Sequence, residues 1–286
     1  MKALSRVAIL APLALLALRA AAADWQLVWS DEFDRDGLPD PAKWSYEEGF
    51  VRNQELQYYT TNRIENARVE NGHLVIEARK ERFPNPRYQA NAPERRWQQR
   101  REFADHTSAS VTTRGRASWT YGRIEVRAQM PSGRGTWPAI WTLGTNIAQV
   151  GWPACGEIDI LEYVGHAPGV VHANVHTRGH NHARGNGRGS QLRLPNAEKT
   201  FHVYALEWTP QKLDFFVDDT RYFTLANDGT GVDSWPFGAP QYLILNLAIG
   251  GAWGGQQGVD DTIFPQRLTI DYVRVYQRPS EAPPQT

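Results

Sequence analysis

From Gly122 to Met130 the chain alternates: Ile124, Val126, Ala128 and Met130 fall on one parity, Arg123, Glu125, Arg127 and Gln129 on the other. A period of two puts one apolar and one wet face on an extended segment, so this stretch predicts a half-buried strand. Leu74, Ile76 and Ala78 alternate in the same way with Val75, Glu77 and Arg79. Further strands are predicted over 26–33, 107–114, 138–144, 157–163, 170–177, 201–208, 212–218, 241–249 and 267–277. Clusters of Gly, Pro, Asn and Asp separate most of them, and helical periodicity is almost absent after Asp24. About a dozen short strands with such punctuation predict an all-β fold: two packed antiparallel sheets, a sandwich or jelly roll, with a barrel as the alternative.

The pattern breaks at both ends. Lys2 and Arg6 precede an apolar run from Val7 to Leu18, and Ala20 to Ala23 offer a small-residue cleavage site. Residues 1–23 therefore read as a signal peptide and predict a secreted or periplasmic protein. The run is too short for a spanning helix, and no later segment is longer. Residues 24–278 read as one domain, and 279–286 as a disordered tail. The 31 basic and 31 acidic side chains balance; losing Lys2, Arg6 and Arg19 with the leader leaves 28 against 31, a net of −3. That charge gives no electrostatic reason to seek nucleic acid or a membrane, and a monomer is expected. Cys155 is the only cysteine, so no intrachain disulfide forms, and it is expected to act as a small buried apolar residue.

Three stretches interrupt the strands as loops. Residues 84–102 carry an arginine cluster diluted by Glu94 and Glu102, and read as a solvated surface insertion. Residues 178–190 are glycine-rich and expected to be mobile. Residues 250–258 set Trp253 among five glycines, without the Lys-Ser/Thr of a phosphate-cradling loop.

Candidate chemistry lies in one strand. Glu157, Asp159 and Glu162 stand within six residues of otherwise apolar sequence, GEIDILEYVG. Like charges this close repel, and two carboxyls whose pKa values are driven apart are what hydrolysis of a glycosidic bond requires. Glu157 and Asp159 share a face, but Glu162 is an odd number of positions from Glu157 and would point into the core. The consecutive apolar pair Ile160 and Leu161 marks where one extra residue, a β-bulge, would return Glu162 to the others. Spacing alone does not decide between retention and inversion. Trp137, Trp141 and Trp253 are candidate platforms for sugar rings, in a chain with 11 Trp and 11 Tyr. A linear ExDxxE lacks the loop geometry of a calcium site. His172 and His176 share a strand face, but no cysteine or acid completes a zinc spacing. His176 is expected to bind substrate or position the acid, with His172, His180 and His182 at the surface.

These blocks, in order, carry a resemblance. VWSDEFD at 28–34, ELQYYT at 55–60, NGHLVIEARKE at 71–81, YGRIEVRAQMPSGRGTWPAIWTLG at 121–144, GEIDILEYVG, FHVYALEW at 201–208, LILNLAIGGAWGG at 243–255 and IDYVRVY at 270–276 resemble glycoside hydrolase family 16. The likeness is to its bacterial endo-β-1,3-glucanase (laminarinase) branch. It implies a β-jelly-roll with a concave cleft and a retaining mechanism without a catalytic cofactor. Glu157 would be the nucleophile, Glu162 the general acid/base, and Asp159 the acid that tunes the nucleophile. Trp137, Trp141, His176, Asn53 and Trp253 would meet a β-glucan, laminarin-type or mixed-linkage. An agarose-cleaving enzyme and a non-catalytic glucan-binding protein are the alternatives. The resemblance also implies a structural calcium held by Glu32, the Gly72 carbonyl and Asp271. Two departures stand out. Thr107-Ser108-Ala109-Ser110 lacks an arginine that commonly contacts substrate at the last position, for which the 84–102 insertion offers candidate substitutes. Leu161 stands where a methionine is usual, a volume-conserving change.

Overall fold

Why the acids end up together follows from how two sheets share one core. The computed structural model describes residues 25–279; the signal peptide predicted over 1–23 and the tail beyond Pro279 lie outside the described residues. A ten-stranded sheet runs in the order Thr220–Ala226, Lys212–Val217, His202–Trp208, Gly122–Gln129, Gln266–Gln277, His73–Pro84, Phe103–Ser108 and Gln57–Tyr59; Gln26–Asp31 and Ala67–Glu70 pair beside it. A seven-stranded sheet runs in the order Arg188–Arg193, Val170–His176, Glu157–Tyr163, Thr136–Gly144, Gln241–Ile249, Ser110–Thr112 and Ser45–Glu47. Pairing is antiparallel except at one edge, where Gln57–Tyr59 runs parallel to Phe103–Ser108.

Alternation does what the pattern predicts. Ile124, Val126 and Ala128 from one sheet meet Ile140, Ile158, Val171, Val175, Leu243 and Leu245 from the other in one buried cluster. Each such aliphatic side chain contributes roughly 1.5–3 kcal/mol on burial. Cys155 is fully buried with Leu143 and Tyr242, and burial pushes its thiol up to about 11.

The differences are local. Ser45–Glu47, Gln57–Tyr59, Ala67–Glu70, Arg188–Arg193 and Thr220–Ala226 are strands too short or too polar to show in the pattern. Arg188–Arg193 begins inside the stretch read as a mobile loop, held by six paired positions along Val170–His176. The 84–102 insertion contains two short helical turns and anchors Trp97 against Phe50, with ring centroids 6.1 Å apart.

Candidate active site

Gly156 starts the acidic strand with φ +77, and a Cβ there would come within 2.9 Å of Pro236 and 3.0 Å of Phe237. Only glycine fits that turn. The strand then pairs Glu157 with His176 and Asp159 with Asn174 on one side, and Asp159 with Trp141 on the other. Between Asp159 and Glu162 both registers slip by one residue, which is the predicted bulge. Ile158, Ile160 and Leu161 all enter the core, and Glu157, Asp159 and Glu162 all face the same cleft. The slip, at Ile160, turns an odd spacing into an even one.

Neighbouring strands deliver their own outward sets by plain alternation. Thr136–Gly144 contributes Trp137 and Trp141, Val170–His176 contributes His172, Asn174 and His176, and Gln241–Ile249 contributes Tyr242 and Asn246. Two cavities result, of about 720 and 450 Å³. Asn53, Trp137, His182, Glu157 and Glu162 line both, so the cleft crosses the strands and its two arms meet at the glutamates.

Each carboxyl has distinct neighbours. The Trp152 indole donates to Glu157 Oε2 at 2.8 Å. His176 Nε2 lies 3.7 Å from Glu157 Oε1 and 3.3 Å from Asp159 Oδ2. Glu162 accepts from Trp137 Nε1 at 3.2 Å and from Asn174 Nδ2 at 2.6 Å. Burial raises all three carboxyls. Glu157 is pushed up to about 8 by desolvation and then by the charge of Asp159. Asp159 is driven well above its ordinary value by burial and by Glu162, and Glu162 is raised by burial against its two donors. Groups this close titrate as a unit, so at neutral pH the cluster keeps protons that three separate acids would have lost.

Residues 54–274 match the family profile of the glycosyl hydrolases family 16. The chain is 53% identical over 262 residues to a beta-glucanase of Rhodothermus marinus, covering 88% of this chain and 85% of that one. The X-ray structure of the laminarinase from Rhodothermus marinus superposes with a TM-score of 0.79 at 53% identity, over 89% of this chain and 98% of that one. A non-specific endo-β-1,3(4)-glucanase of the same family, crystallised with a 1,3-β-D-cellobiosyl-glucose at its active site, gives a TM-score of 0.80 at 44% identity, over 90% and 96%. The chain belongs to glycosyl hydrolase family 16.

Within that family-16 cleft the structure gathers most of the expected residues. Trp137 and Trp253 meet edge to face at 5.8 Å, both half-exposed, and Asn53 reaches both arms. Trp141 is different: it is 94% buried, and the Arg52 guanidinium lies 4.8 Å over its ring, so it offers no open platform. His172 lines the cleft, half-buried instead of sitting at the surface, 4.9 Å from Trp253; His182 is exposed as expected and also borders the cleft, 5.4 Å from Trp152. Sequence reading passed over Trp152 and Asn174, the donors to the two glutamates. Asn174 shares the parity of His172 and His176, a signal that was present; Trp152 comes from a loop, where parity says nothing.

The carboxylates assigned to calcium are already engaged. Arg274 donates to both oxygens of Glu32, at 3.0 and 2.8 Å. Arg127 pairs with Asp271, whose other oxygen lies 3.7 Å from His73 Nε2. Calcium needs six to eight oxygens in open geometry. With each carboxylate neutralised by a guanidinium, these residues do not present such a cage, and no chemistry below runs through a metal.

Proposed function

We propose that this protein is an endo-acting, retaining β-1,3-glucanase that cleaves laminarin-type glucans and also accepts mixed-linkage β-1,3-1,4-glucan. The observation that carries the reading is the meeting of two cleft arms at Glu157 and Glu162. A cleft with sugar sites on both sides of the acids grips a chain at an internal bond.

The shared titration of the three acids supplies the protonation the reaction needs. The Trp152 N–H steadies negative charge on Glu157 against the burial that raises it. Asp159, 97% buried and with only the His176 ring nitrogen near Oδ2, at 3.3 Å and without a formed hydrogen bond, is best kept protonated. Glu162 is the acid, and its looser contact to Trp137 leaves Oε1 as the oxygen that carries the proton. In the first half-reaction Glu162 protonates the glycosidic oxygen and Glu157 attacks the anomeric carbon, forming a glycosyl ester as the C–O bond breaks. In the second, Glu162 takes a proton from water, which cleaves the ester and frees Glu157. Two inversions give retention.

The leader read at residues 1–23 supports export of the enzyme. A monomer needing no catalytic cofactor belongs to the same proposal. The presence of both glutamates in the cleft favours catalysis over mere glucan binding. Proton NMR during digestion of laminarin tests the proposal: the β-anomer should rise first, with oligosaccharides of mixed length. An initial α-anomer would end the retaining assignment, glucose alone would end internal cutting, and cleavage of agarose with laminarin untouched would move the substrate to a galactan.

A further inference from the structure

The arginine missing at position 110 has a replacement, and it does not enter from the 84–102 insertion. Arg52 comes from the turn between Ser45–Glu47 and Gln57–Tyr59 and lines the smaller arm of the cleft with Glu157, Asp159 and Glu162. Its Nη2 donates to Glu47 Oε1, and Glu47 Oε2 accepts from Ser110 Oγ at 2.7 Å. Glu47 thus ties Arg52 to the very position that lacks an arginine. The guanidinium covers the Trp141 face. Its Nη1 is shielded from bulk water and has no hydrogen-bond partner in the protein. A buried N–H of a charged group left without an acceptor is costly, and Arg52 keeps 23% of its side-chain surface open where it lines a cavity of about 450 Å³.

The turn that presents Arg52 is held against its own preference. Asn53 and Gln54 both have φ near +52, a region that costs a non-glycine residue about 1 kcal/mol or more. Ala252 N–H binds the Asn53 carbonyl at 3.0 Å. Arg101, from the insertion, donates to the carbonyls of Glu55 at 2.6 Å and Gln54 at 3.2 Å, while its guanidinium stacks 5.0 Å over Phe50 and Trp97. The insertion's arginine therefore clamps the turn from behind and leaves the cleft to Arg52.

We infer that Arg52 is the hydroxyl-recognising residue of a neutral-hexose subsite in the smaller arm of the cleft, with Glu47 orienting its guanidinium and Arg101 holding its turn. A sugar hydroxyl entering that arm can accept from the guanidinium, a small rotation of the side chain brings the unpartnered Nη1 to it, and the planar fork can engage two neighbouring hydroxyls at once. This rests on the β-glucanase reading, and the experiment separates the two.

Oligosaccharide binding is read by calorimetry in the Glu157→Gln background, and cleavage positions on an end-labelled β-1,3-linked hexasaccharide in the active enzyme. Arg52→Ala should weaken oligosaccharide binding by about 10- to 100-fold, the range for losing hydrogen bonds from a charged donor. It should also shift the cleavage positions along the labelled chain, which a general loosening of the fold would not do. Arg52→Ala combined with Ser110→Arg should recover affinity and pattern, because the new guanidinium meets the same Glu47. Arg52→Ala with unchanged affinity and pattern overturns the inference. So does a loss that the Ser110→Arg partner fails to restore while the double variant melts like the parent. Failure of the parent enzyme to cut the hexasaccharide would sink the substrate reading instead.

Discussion

Two groups of acids sit on opposite sheets of this molecule and are treated in opposite ways. On the ten-stranded sheet, Glu77 is 99% buried beneath three guanidinium groups, with Arg68 and Arg267 at 2.9 Å and Arg79 also paired. Glu32 has Arg274, Glu81 has Arg63 and Glu70 has Arg68, and each of these three carboxyls lies below its ordinary pKa. In the cleft, no lysine or arginine among the described residues pairs with Glu157, Asp159 or Glu162; indole, amide and imidazole nitrogens surround them. Their pKa values rise. The same side chain is a structural counter-charge on one sheet and a proton reservoir on the other, and the neighbouring cation makes the difference.

Exchanging the loss between the two groups gives the largest effects. Glu157→Gln should reduce kcat on laminarin by roughly four to five orders of magnitude, since the covalent step disappears, while glucan binding persists. Glu77→Gln should do the reverse. It leaves three guanidinium groups around a neutral amide, and breaking a buried ion pair costs about 3–5 kcal/mol. For a domain of this size that lowers Tm by roughly 10 °C, with kcat at low temperature unchanged. Thermal melts and initial rates on the two variants decide it: a Glu77 variant that stays folded yet loses turnover would erase the division of labour.

The pH dependence of stability sharpens the contrast. A carboxyl raised in the native state binds its proton more tightly there than in the unfolded chain, so stability declines as pH climbs through the raised value. For Glu157 that window runs from the ordinary carboxyl value of 4.5 up to about 8. The lowered carboxyls Glu32, Glu70 and Glu81 act in the other direction: their contribution is present above about pH 4.5 and lost in acid. The wild-type Tm should therefore peak near pH 5 and fall toward pH 8. Glu157→Gln should remove much of the alkaline fall, gaining on the order of 1–3 kcal/mol over wild type at pH 8, and leave the acid limb alone. Parallel alkaline limbs in the two proteins would show that the cleft stores no protons.

How much of this was legible beforehand depends on the kind of signal. Alternation found the long strands because a half-buried strand must obey a period of two. It found the bulge because Ile160 and Leu161 break that period between acids that a regular strand would separate. It missed Gln57–Tyr59, whose three residues are all buried, and Arg188–Arg193, which begins at the end of a glycine-rich run and mimics a loop. For the site, face parity grouped His172 with His176 but left His172 at the surface, because strand parity cannot tell which edge a neighbouring loop will cover. The cover on Trp141 was hidden for the same reason: the ring lines the cleft, but Arg52 arrives over it from a turn far away in sequence. Contacts made by loops have no period to read.

The smallest effect probes the weakest member of the structural group. Glu32 and Arg274 are each about one-third exposed, at 35% of their side-chain surface, so water screens their pair despite two well-formed hydrogen bonds. An exposed pair of this kind contributes about 0.5–1 kcal/mol. Glu32→Gln should lower Tm by only a few degrees, and a chelator should shift neither wild type nor variant, because guanidinium groups already neutralise Glu32 and Asp271. The opposite outcome is specific. A wild-type Tm that drops on chelation and recovers with calcium, with Glu32→Gln insensitive to both, would mean that Arg274 and Arg127 swing aside for a metal. The carboxylates of that sheet would still be held by positive charge, but by an ion that can be removed, and only the cleft acids would remain without a cation of their own.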